Sequence, residues 1–149
     1  MSDAKAQLVQ SWLTKAQHDL ASARVLSASK PPLLDTAIYH CQQGAEKAVK
    51  GFLAYCNQEV EHVHDIEILI RSSMPYAAKF ADWIDVGIQL TPYARIYRYP
   101  GYAVAPSPEQ FKQAMTTAEG LYQFVLSLLP KEMHPEQPLA RAHSRKKRQ

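Results

Sequence analysis

The chain has 149 residues and a formal net charge of +3, a length that suits one domain with its own core. The positive excess sits in the terminal stretch LARAHSRKKRQ, so the remainder is close to neutral and does not have the charge of a strong nucleic-acid binder. No run of about 18 apolar residues is present, which excludes a helical membrane span; MSDAKAQLVQSW is charged and amphipathic, unlike a signal peptide.

Residues 3–28 read as one long helix. Trp12, Leu13, Ala16, Leu20, Ala23 and Leu26 recur mostly at steps of three and four, and Ser2 and Asp3 offer caps. Two prolines in SASKPPLLD stop it. Residues 33–57 form the second helix, with an apolar stripe of Leu34, Ile38, Cys41, Ala45, Ala48, Val49 and Phe52. Gln42, Gln43, Glu46, Lys47 and Lys50 group on another face. Gly44 and Gly51 each cost about 1 kcal/mol against Ala inside a helix, which points to a close helix approach.

The polar run NQEVEHVHD marks a turn, and residues 65–72 follow as a short helix with Ile66, Leu69 and Ile70 inward. SSMP stops it, and residues 76–91 give a further helical pattern on Ala77, Phe80, Ile84, Ile88 and Leu90. TPYARIYRYPGYAVAPSP then breaks the pattern at Pro100, Pro106 and Pro108. Ser107 before Pro108, with Glu109 and Gln110 behind it, is a strong helix start, and the last helix runs to Leu129, where Pro130 ends it. The class is all-α: an antiparallel up-and-down bundle of four to five helices over residues 1–130, with 131–149 a flexible basic tail. That tail is either a solvated end or an electrostatic handle for a polyanion.

Standard chemical signatures are sparse. Cys41 and Cys56 lack C-x-x-C spacing, which gives no redox or metal signature and fits a reduced, cytoplasmic setting. His62, His64 and Asp65 lie close together, but at a turn and without the i,i+4 spacing of a helical zinc clamp. The plainer reading is that Asp65 or His64 caps the short helix, and no metal or cofactor is expected. Neither a phosphate loop, a dinucleotide-binding turn nor a nucleophile elbow is present. What remains is Tyr93, Arg95, Tyr97, Arg98, Tyr99 and Tyr102. Guanidinium forks suit phosphate, and phenol rings suit a base. Packing between core and solvent is the plainer use of the same residues.

Four motifs in order resemble HEPN domains (higher eukaryotes and prokaryotes nucleotide-binding). They are W-L-x-K-A-x-x-D-L-x-x-A from Trp12, Y-H-C-Q-Q-G-A-E-K-A-V-K-G-F-L from Tyr39, H-D-I-x-x-L from His64, and L-T-P-Y-A-R-I-Y-R-Y-P from Leu90. The resemblance spans roughly residues 8–130. It implies a helical bundle, usually a homodimer, often encoded beside a minimal nucleotidyltransferase in a toxin–antitoxin-like pair. Many such proteins are metal-independent ribonucleases with an arginine, four to six residues, then a histidine.

This chain departs from that pattern: Arg98 is followed by Tyr-Pro-Gly-Tyr-Ala-Val-Ala, and Arg24, Arg71 and Arg95 also lack a histidine at that spacing. Tyr102 lies four residues after Arg98, but a phenol with a reference pKa of about 10 is a poor base. The reading is therefore a binding module for a nucleotide or an RNA phosphate rather than an enzyme. Arg98, Tyr99, Arg95, Tyr93 and Tyr102 would form its ligand site, with Lys47, Lys50 and Glu46 of the second helix and with His64 and Asp65. The alternatives are a ribonuclease toxin in which His64 or Tyr102 moves protons beside Arg98, and a purely interacting protein.

Overall fold

A computed structural model describes residues 3–101 and 105–136. Its α-helices are α1 (Asp3–Ala28), α2 (Leu34–Tyr55), α3 (Ile66–Ser73), α4 (Ile84–Leu90) and α5 (Pro108–Leu128). Short 3-10 turns at Ala78–Trp83, Thr91–Ala94 and Lys131–Met133 connect or end them, and no strand occurs among the described residues. The all-α bundle is as expected.

α2 is the central element. It packs on α1, α3 and α5 and buries residues around most of its circumference. A Cβ on Gly44 would stand 2.9 Å from Leu20 Cδ2, and one on Gly51 would stand 3.1 Å from Leu13 Cδ2. The two glycines therefore let α1 come close. Their opposite numerical order against Leu20 and Leu13 shows that α1 and α2 run antiparallel. α5 starts on the capping box of Ser107 and Gln110. It lies antiparallel to α1, with Arg24 bonded to Glu119 and Gln10 to the carbonyl of His134.

Two expectations change. Residues 76–91 are not one helix: Ala78–Trp83 is a 3-10 turn, and Ile84–Leu90 follows after a break at Trp83 (φ −108°, ψ 2°). The apolar spacing permits it, since Ala77, Phe80 and Trp83 recur every three residues, the period of the tighter helix. Phe80 is locked between Phe52 and Phe124, with ring centroids 4.9 Å away on either side. Leu90 is inward as the pattern has it, but Gly87 is buried beside it and Ile88 is left about half exposed. The tail, expected to begin at 131, is docked through its first residues. Met133 is buried, and the His134 ring bonds the Leu126 and Leu129 carbonyls left over at the end of α5. Residues 137–149, which hold the basic run, lie outside the described residues.

No helix among the described residues is long and apolar enough to cross a membrane.

Candidate functional site

The 91–98 segment folds as a 3-10 turn followed by further turns, and it faces α2 and the start of α3 across a cleft of about 590 Å³. Tyr39, Gln43 and Glu46 form the α2 wall. Their spacing of four and then three puts them on one helix face. His64 and Asp65 enter from the residues just before α3, and Arg95 and Arg98 close the opposite side.

Local hydrogen bonds fix these walls. Asp65 is the N-cap of α3, accepting the Ile68 N–H at 3.2 Å. The Ile66 N–H donates to Thr91 Oγ1 at 3.1 Å, and that hydroxyl donates to the Gly87 carbonyl at 2.7 Å. One threonine thus ties the start of α3 to the end of α4.

Behind the α2 wall lies a buried polar chain. Glu46, Gln42 and Lys50 are each at most 3% exposed. Gln43 donates to Gln42 at 2.7 Å, and Gln42 donates to Glu46 Oε1 at 3.0 Å. Glu46 Oε2 accepts from Lys50 Nζ at 2.9 Å and from His64 Nδ1 at 3.0 Å. Lys50 also donates to the Glu61 carbonyl at 3.0 Å and stands over the Trp12 ring. Burial of these charges is tolerated because they are paired and hydrogen-bonded. The His64 side chain remains 69% exposed. In the neutral tautomer that donates Nδ1–H to Glu46, Nε2 is the acceptor, and the His64 ring lines the cleft.

The arginines are held differently. Arg24 and Arg71 each pair with a glutamate. Arg95 and Arg98, the other described arginines, pair with no carboxylate among the described residues. Arg98 donates to the Ala94 carbonyl at 3.1 Å, and its guanidinium carbon stands 4.2 Å from the Tyr39 ring centroid and 5.6 Å from that of Tyr99. A ring face beneath the guanidinium favours the cation while leaving N–H donors for an incoming anion.

The sequence-derived site residues therefore divide. Arg95, Arg98, Glu46, His64 and Asp65 meet at this cleft. Tyr99 is exposed beside Arg98. Lys47 is drawn away to Asp19 of α1 at 2.6 Å, and Lys50 lies beneath Glu46, so neither presents charge to the cleft. Tyr93 turns to the far side of the 3-10 turn, where it stacks on Tyr97 at 6.0 Å. Tyr102 lies outside the described residues. Tyr39 and Gln43 were not among the sequence candidates; their helical spacing from Glu46 was the available signal. Among the described residues no cluster of three potential metal ligands forms.

A model of the HEPN domain family matches residues 9–129 of the chain. No curated protein and no solved structure matches it.

Proposed function

Because the chain belongs to the HEPN domain family, we propose that its cleft binds a nucleotide or an RNA segment by the phosphate, as a homodimeric module working beside a minimal nucleotidyltransferase. The observation that carries this reading is the pair of arginines without carboxylate partners among the described residues, one of them over the Tyr39 ring, in an open cleft. Phosphate would take the guanidinium donors, and Gln43 supplies an amide on the facing wall. The dimer and the transferase partner rest on the family resemblance, and co-purification with light scattering tests them.

Calorimetry with AMP and with a short RNA, comparing wild type with Arg98→Ala, tests the cleft. Saturable binding weakened at least about tenfold in the variant, a loss of about 1.4 kcal/mol, supports phosphate recognition there. Equal binding by both proteins excludes it.

A second reading has its own observation: His64, oriented by Glu46, shares the cleft with Arg98. In a ribonuclease built on these residues, the RNA 2′-hydroxyl attacks the adjacent phosphorus and its proton passes to His64 Nε2. The bond from phosphorus to the 5′-oxygen breaks, leaving a 2′,3′-cyclic phosphate and a 5′-hydroxyl that takes a proton from water. Arg98 offsets the charge gathering on the phosphoryl oxygens. A gel of the same RNA decides it: cleavage by wild type that is lost in folded His64→Ala favours the enzyme, and intact RNA favours the binding module.

A further inference from the structure

The 3-10 turn Thr91–Ala94 is a wall with two faces. At three residues per turn, positions three apart share a side. Thr91 and Ala94 line the arginine cleft, as do Pro92 and Arg95. Leu90 and Tyr93 make the remaining stripe and face a smaller pocket of about 260 Å³ against α5. Gln89, Gln110, Gln113 and Thr117 supply the polar groups of this pocket. Gln110 is committed to the capping box and reaches Tyr97, and Thr117 bonds its own helix. The side-chain amides of Gln89 and Gln113 make no hydrogen bond among the described residues.

We infer that this pocket is a nucleobase subsite, in which Tyr93 offers a ring face and Gln89 and Gln113 read the edge of one base of the RNA whose phosphate lies in the arginine cleft. It rests on the phosphate-binding reading above. Three features favour a base over other small ligands. The volume falls just under the usual range of about 300–1,000 Å³ for drug-sized ligands, which suits one planar ring system rather than a whole nucleotide. These two amides each carry a donor and an acceptor side by side, the pattern that base edges present, and no charged group among the described residues lines the pocket to favour an ion. Tyr93 is pre-ordered by its stack on Tyr97. Burial first, then the neighbouring Tyr97 and Cys41, push its phenol above the ordinary range, so the hydroxyl stays protonated and can donate. Single-stranded RNA is recognised in this way, by ring stacking with edge hydrogen bonds. The strand would cross over the exposed ring of Pro92, which has no N–H to leave unsatisfied.

The test uses hexaribonucleotides of A, C, G or U and an abasic hexamer, with binding measured for the full chain. Wild type is expected to bind at least one base-bearing hexamer about tenfold more tightly than the abasic one. Gln89→Ala/Gln113→Ala, two exposed positions that should leave the fold intact, is expected to erase that difference while keeping affinity for the abasic strand. Arg98→Ala is expected to weaken all five. Equal binding of abasic and base-bearing strands by wild type overturns the subsite, as does a difference that survives in the double variant. In either case a loss with Arg98→Ala leaves the phosphate cleft standing. No binding by wild type, or none lost in Arg98→Ala, removes the phosphate cleft and the subsite with it.

Discussion

Asp19 and Glu46 each hold one histidine and one lysine, in different settings, and Glu46 also accepts from Gln42. Asp19, on α1, takes His40 Nδ1 at 2.7 Å and Lys47 Nζ at 2.6 Å. Glu46, on α2, takes His64 Nδ1 at 3.0 Å and Lys50 Nζ at 2.9 Å. Both carboxylates are buried. What differs is where the remaining atoms point. At Asp19 the histidine and lysine are each about one-quarter exposed, and the His40 ring packs edge-on to Tyr39. At Glu46 the lysine is sealed in, while the histidine opens onto a cleft that holds two arginines. A carboxylate–histidine–lysine cluster is therefore no evidence of a site by itself. The first is a clamp between helices, and the second becomes a candidate site through the exposure of His64 and its neighbours.

The largest break in this comparison should come from Glu46→Leu. It strands Lys50 in the core without a counter-charge and should cost about 3–5 kcal/mol in urea unfolding. Replacing Lys50 by Met in the same chain should recover much of that loss, because the uncompensated charge is then gone. Asp19→Leu should cost less, about 1–3 kcal/mol, since Lys47 and His40 can reach water once released. Losses of equal size at the two sites would mean that the clusters are structurally equivalent. His40→Ala should cost about 1 kcal/mol. The smallest effect is expected of His64→Ala, within about 0.5 kcal/mol of wild type, because most of that side chain is already in water. A larger loss there would make His64 a structural residue like His40.

The long helices were legible because their signals agree. Apolar residues at helical steps, a proline stop after Ala28 and the Ser107–Gln110 capping box all mark the same boundaries. The 76–91 region was not, because its apolar residues fit two periods and only packing against Phe52 and Phe124 chooses the shorter one. At the site, Arg95, Arg98 and His64 could be named from residue type, but their meeting depends on how the loop before α3 docks on α2. Lys47 and Lys50 show the limit of counting charge. Both stand on the polar face of α2, yet one turns to α1 and the other is buried under Glu46. Tyr93 shows the limit of counting rings, since a three-residue turn places it behind the wall that carries Pro92 and Ala94.

The threonine tie between α3 and α4 also gives this cleft a clock. The Ile66 amide proton is held by a hydroxyl from 25 residues further along the chain. It can exchange with solvent deuterium only when the two walls part or the domain unfolds. Its exchange rate, set against that of amides deep within α2, separates wall opening from global unfolding. Slow exchange at Ile66, quickened in Thr91→Val, would mark a cleft assembled before its ligand arrives, with association governed by encounter rather than by rearrangement.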